Sequence, residues 1–343
     1  MTKLARTFST LLTIAALASC SPDEPLINTF VDEWRLVSTT GSTDFSATVV
    51  PGGQPTAINP QNVDFGDSPS MVRFRNNIYV FSENRPWIVV FDSETLNYSD
   101  TIFTFGKLEG IADLCFANAT TAYAVSAQQQ CIGIIDLTTS TVAGVIPVAG
   151  SPRQIACLGN QMAVTLPDSN RVIIIDTRTN AIVDRISVAP TPWYVRGDEV
   201  ANVFCVVSLG NGKVDKLPQT APTITFISPS TREVLKTLDL VVRASEGSKQ
   251  FPRGLSVSST QFAYVPVQGG LLRVSTRTRS RVSAVQSDSF DLISYNEARA
   301  ELICQRASGG ASPDVVVYNE DGSEKKFTVS RSSRACALLG VSR

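Results

Sequence analysis

The sequence predicts an all-β protein: a seven-bladed β-propeller of four-stranded antiparallel blades, its ring closed by the C-terminal strand. Three observations predict it. A strand–turn–strand frame recurs along the chain, its copies fall 40 to 52 residues apart, and the last residues repeat the opening strand of a blade. Blades of roughly 40–50 residues are the usual unit of such rings.

The clearest copy runs from Asn170 to Pro192. Val172 to Ile175 is wholly apolar and β-branched, which suits a strand covered on both faces. Asp176-Thr-Arg-Thr-Asn180 is a polar turn cluster, and Ile182, Val183, Ile186 and Val188 form the next strand before Pro190 and Pro192. The same frame ends its strand at Asp92, Asp136, Ser228, Ser275 and Asn319, so consecutive anchors lie 44, 40, 52, 47 and 44 residues apart. Upstream of each anchor stands another strand: NNIYVFS, TAYAVSA, QMAVTL, VFCVVS, FAYVPV and AELICQ. Most of these strand pairs open near Pro69, Gly110, Pro152, Pro192 or Pro252. A degenerate seventh copy is Phe45–Val50 followed by NVDFGDSP, and one propeller then accounts for residues 30–343. Arg334–Val341 (RACALLGV) parallels Arg153–Asn160 (RQIACLGN), so the tail is expected to complete the N-terminal blade and remove the free sheet edges.

Asn170, Val172, Ile174, Ile175, Asp176, Thr179, Val183, Ile186, Val188 and Pro192 follow the pattern N-x-V-x-V-I-D-x-x-T-x-x-V-x-x-I-x-V…P. The stretch thereby resembles the YVTN-type seven-bladed propeller family. The frames at Asp92 and Asp136 match more loosely, and those at Ser228, Ser275 and Asn319 lack the Asp. The resemblance implies the fold and no single activity, since propellers carry many. WD40 propellers are less similar, because the chain has neither a Trp-Asp dipeptide nor a histidine.

Residues 1–19 read as a lipoprotein signal peptide and 20–29 as an acylated tether. Lys3 and Arg6 form a basic start, and Leu11 to Ala18 is apolar but too short to span a bilayer. Leu17-Ala18-Ser19-Cys20 resembles a bacterial lipobox, which implies cleavage before Cys20 and acylation of that residue. The alternative is an ordinary signal peptide with a chance cysteine. Ser21 differs from the Asp of the inner-membrane retention signal, and Asp23-Glu24 resembles the export signal of surface lipoproteins in Bacteroidota. The expected location is the outer membrane, lipid-anchored, in either leaflet.

The absence of histidine from all 343 residues excludes Ser-His-Asp and Cys-His nucleophiles and His-ligated haem, copper or zinc. Carboxylate chemistry remains open, in a hydrolase or a calcium-dependent lactonase. Loss of Lys3 and Arg6 takes the net charge from −1 to −3, which offers no footing for nucleic acid. The basic run Thr276–Arg281 reads as a solvated outer face, Gly210-Asn-Gly212 as a loop, and Asp321-Gly322 as a hairpin turn. After Cys20, cysteines stand at 115, 131, 157, 205, 304 and 336, and no C-x-x-C spacing occurs. Cys115, Cys157 and Cys336 share one slot in different blades, so the ring is expected to hold them apart as small core residues.

In a four-stranded meander, the first-to-second and third-to-fourth turns share one face. The second-to-third loops and the blade-to-blade links share the other. Turns on the first face are short and uniform, whereas the second carries the long segments Leu209–Pro222, Val241–Pro252 and Arg306–Pro313. Irregular loops above a rigid scaffold usually carry binding, so the second face is assigned as functional. Around the channel mouth there, the candidate binding residues are Arg153, Trp193, Tyr194, Arg253, Asp291 and Arg334, with Trp87 overhanging. Aromatics with arginines suit a planar, anionic or carbohydrate-like ligand. The alternative is that Trp193 and Tyr194 pack between blades while the arginines solvate the rim.

The expected function is non-enzymatic: a lipid-anchored protein that captures a small molecule or docks a protein partner, without cofactor, metal or catalytic residue. It resembles the substrate-capturing surface propellers that sit beside outer-membrane transporters, which implies a corrinoid or glycan ligand. A histidine-free hydrolase or lactonase with a carboxylate-metal site at the channel mouth is the first alternative. A structural partner in an outer-membrane assembly is the second.

Overall fold

A computed structural model describes residues 34–39, 42–50, 55–58, 63–211, 220–240, 252–267, 270–286, 289–307, 314–322, 325–329, 335 and 337–342. They belong to one compact unit, Glu33–Arg343. They form seven four-stranded sheets, and all the strand pairings are antiparallel. Named by their second strands, the blades are Trp34–Thr39 (blade 1), Asn77–Phe81 (2), Thr121–Ser126 (3), Gln161–Leu166 (4), Val203–Ser208 (5), Phe262–Val267 (6) and Glu301–Arg306 (7).

The ring closes as expected. Ala337–Ser342 is the inner strand of blade 1 and pairs with Trp34–Thr39, Thr39 opposite Ala337 and Arg35 opposite Val341. Phe45–Val50 is the third strand of that blade. Asp64 to Pro69 of the segment read as its continuation is instead the link to blade 2, without strand structure.

The regular hairpins follow from their anchor residues. Asp92, Asp136 and Asp176 end third strands, and each carboxylate accepts backbone N–H bonds from the turn: from Thr95 (2.7 Å), Thr138 (2.8 Å) and Arg178 (2.8 Å). Where the anchor is Ser, its hydroxyl does the same for Thr231 and Thr278, both at 3.2 Å. Asp and Ser are thus interchangeable here because both are short side-chain acceptors for a turn. The residue four places on, Leu96, Ser140, Asn180, Arg232 or Arg279, takes a positive φ of 51° to 61° and closes the loop. In the turn after Asn319, Gly322 takes a positive φ of 69°.

The core lies between blades. Seven hydrophobic clusters occupy the seven seams. Ile173 and Ile175 face blade 3, whereas Val172 and Ile174 face blade 5, all at most 1% exposed. This division explains why the strand is apolar at successive positions and does not alternate. Tyr123 crosses a seam with its hydroxyl, donating to Asn180 Oδ1 at 2.6 Å and to the Thr177 carbonyl at 3.2 Å. Tyr264 does so at 2.7 Å to the Glu320 carbonyl.

One expectation is corrected. Cys115 and Cys157 do not stand apart: they form a disulfide, with Cα atoms 5.7 Å apart, between the inner strands of blades 3 and 4. Equivalent slots are far apart on outer strands, but inner strands converge on the channel, where neighbouring blades come within bridging distance. Cys131, Cys205 and Cys304, on second and third strands, are free and buried. Burial raises each of their thiol pKa values. Cys336 lies outside the described residues.

Candidate functional site

The inner strands line a central channel with a cavity of about 670 Å³. That volume lies within the roughly 300–1,000 Å³ range of small-molecule sites. Each inner strand runs away from the face of links and second-to-third loops, so residues just after each link stand at the mouth on that face.

The structure brings most of the sequence-predicted mouth residues into two groups. Arg153 lies over the Trp193 ring, 4.7 Å from its centroid, and forms an ion pair with Glu83 from the second-to-third loop of blade 2. Arg253 pairs with Asp291, whose side chain is 7% exposed. A carboxylate so nearly buried requires a cationic or hydrogen-bonding partner. Tyr194 connects the groups. Its hydroxyl pKa is raised by burial, and the positive charges of Arg153, Arg196 and Arg253 partly oppose the rise. Tyr194 also packs against the cluster between blades 5 and 6, so it serves core and mouth together.

Two candidates fall elsewhere. Trp87 opens the third strand of blade 2 and packs against the cluster between blades 1 and 2. Its indole N–H donates to the Asp64 carbonyl at 2.8 Å, and its ring lies beside Phe105, centroids 5.8 Å apart. Arg334 lies outside the described residues, as do 212–219, 241–251 and 308–313 of the long loops and the whole N-terminal segment with Cys20.

Sequence reasoning missed a polar group on the channel wall. Asp113, its side chain 5% exposed, accepts from the Ile155 N–H and from Arg196 Nη1, each at 3.1 Å. Arg196 Nη1 also donates to the Val195 carbonyl (2.8 Å) and Gln154 Oε1 (3.2 Å). Inner strands of blades 3, 4 and 5 are joined this way. The available signal was an Asp at the slot where the parallel strand RQIACLGN carries Ile155. A carboxylate in an apolar slot demands a partner.

At this end of the channel Glu83, Asp113 and Asp291 each engage an arginine. Among the described residues no group of three or more Cys, Asp or Glu side chains is placed to hold a metal ion. The arrangement can grip polar and planar groups, and Glu199 and Glu297 add carboxylates to the cavity lining.

No protein-family model matches the chain, and no curated protein matches it. Among solved structures, the chain is similar to Kuenenia stuttgartiensis hydrazine synthase, with a TM-score of 0.58 and 11% identity over 74% of this chain and 76% of that one. It is also similar to the computationally designed Ika8 protein, with a TM-score of 0.63 and 10% identity over 90% of each chain. At such identities the likeness concerns the fold alone, that of a β-propeller.

Proposed function

We propose that the chain is a lipid-anchored, non-enzymatic propeller of the bacterial outer membrane, of YVTN type, that captures a small molecule at the channel mouth. The observation that carries this reading is the mouth itself: Arg153, Trp193, Tyr194 and Arg253 gather there, and its carboxylates are occupied by arginines. A mouth of that composition binds through stacking and charge-assisted hydrogen bonds. A hydrolase would instead need free, convergent carboxylates.

The lipobox-like Leu17–Cys20 supports the anchor, and the Cys115–Cys157 disulfide suits an oxidising envelope.

The test is capture from a panel of planar anionic compounds and glycans by the full chain. The double variant Arg153→Ala/Arg253→Ala is expected to abolish capture while the ring stays folded, with an unfolding midpoint lowered by the loss of the partner of Asp291. Equal affinity of variant and parent for the captured compound would sink the mouth assignment.

A further inference from the structure

We infer that Arg196 forms an oxyanion subsite inside the channel, taking the carboxylate or phosphate group of the captured small molecule. The inference rests on the proposed function, which places a ligand at the mouth, and goes beyond it by naming what reaches inward.

The argument starts from how Arg196 is held. A guanidinium carries five N–H donors in a planar fork, and its Nε and Nη2 together present the edge that matches two oxygens of a carboxylate or phosphate. In Arg196 the three protein acceptors, Val195 O, Asp113 Oδ2 and Gln154 Oε1, all engage Nη1. The Nε and Nη2 donors meet no acceptor among the described residues. Arg196 lines the channel, and 37% of its side chain is exposed. The protein has clamped one nitrogen and left the bidentate edge open in the wall of a ligand-sized cavity.

The clamp is preorganised. Gln154 Oε1 also accepts the Val195 N–H at 3.2 Å, and Asp113 also accepts the Ile155 N–H, so both anchors are tied to backbone. Binding an anion there therefore orders little that is not already ordered, and ordering is a principal cost of association. Asp113 balances the charge of Arg196 without occupying its open edge.

The test uses two oxyanion probes, benzoate and phenyl phosphate, with benzamide as the neutral counterpart. Each is titrated calorimetrically into the full chain in detergent at low salt. Parent protein is expected to bind both anions and not benzamide, and the preferred anion distinguishes a carboxylate from a phosphate ligand. Arg196→Gln should weaken binding about tenfold or more, the scale of a charge-assisted bidentate pair. Arg196→Lys, which keeps the charge and loses the fork, should weaken it less. Thermal unfolding of both variants reports whether the ring is intact, and Arg196→Lys keeps the test decisive if Arg196→Gln fails to fold.

Parent protein that binds neither anion, or an Arg196→Gln variant that binds like the parent, overturns the subsite. Arg153→Ala/Arg253→Ala separates the two readings. If that variant loses binding while Arg196→Gln keeps it, the mouth stands and the subsite falls. If Arg196→Gln loses binding while the double variant keeps it, the subsite stands and the mouth falls.

Discussion

Replacing the channel disulfide by Cys115→Ser/Cys157→Ser tests the fold where inspection of the sequence failed. The bond closes a loop with a sequence separation of 42 residues. In the chain-entropy account, a loop of about 40 residues restricts the unfolded chain by roughly 4 kcal/mol at 25 °C. Unfolding of roughly 310 residues carries an entropy of about 0.65 kcal/mol/K, so the midpoint should fall by about 6 °C. Scanning calorimetry of parent and double variant, each with and without a reducing phosphine, measures it. Parent protein should lose its advantage on reduction, and the variant should not respond. Removing both cysteines together avoids leaving Cys157, half-buried on the channel wall, as a reactive thiol. A non-reducing peptide map that fails to join the two cysteines, or a midpoint indifferent to reduction with the bond present, would refute the reasoning.

Two further changes probe the repeat. Asp176 is held well below the usual carboxylate range, at about 2, chiefly by the Arg178 side chain and then by its backbone N–H. A depressed carboxylate contributes stability that is full above its unfolded value near 4 and is lost as pH falls toward its folded value. Asp176→Asn should therefore flatten the fall in unfolding midpoint between about pH 4 and pH 2, and an identical pH profile would count against the turn contact. Tyr123→Phe removes the seam hydroxyl bonded to Asn180 and Thr177, with an expected loss of about 1 kcal/mol in urea unfolding at unchanged m-value. No shift in the urea midpoint would mean that water replaces the bond at no cost.

The architecture was legible because its causes are local and repeated. The run Val172–Ile175 is apolar at every position since each strand feeds two seams, and Asp176 stands at a strand end because the following turn needs a short acceptor. Even the closing strand could be read, since Ala337–Ser342 obeys the same pattern as its six counterparts. The mouth was legible only in part. Links mark which residues open inner strands, and that placed Arg153, Trp193 and Tyr194 together. What no periodicity carries is distance across the ring. Cys115 and Cys157 lie 42 residues apart in sequence, and Asp113 and Arg196 are 83 apart. Convergence on the axis makes neighbours of such positions, and a slot-by-slot alignment treats them as equivalent and therefore distant.

That convergence also bears on how seven similar blades keep their order. Hydrophobic burial is non-directional, so apolar seams alone discriminate poorly between a right and a wrong neighbour. Directional contacts discriminate better, because a mismatched partner leaves a buried polar group unpaired. Each seam carries a different one. Ser140 donates to Asp100 between blades 2 and 3, whereas the bond between 1 and 2, from Arg35 to the Glu94 carbonyl, is exposed and water can replace it. The disulfide joins 3 to 4, and Gln154 with Arg196 joins 4 to 5. Thr276 donates to Asp198 between 5 and 6, Tyr264 to Glu320 between 6 and 7, and the Ala335 N–H to Gln305 between 7 and 1. Among the described residues, ion pairs or sulfur enter the channel wall or its mouth at the seams of blades 3, 4 and 5 and at the seam of blades 6 and 7. Contacts that specify neighbours thus break the ring's symmetry, and a channel lacking sevenfold symmetry can hold a ligand in one orientation.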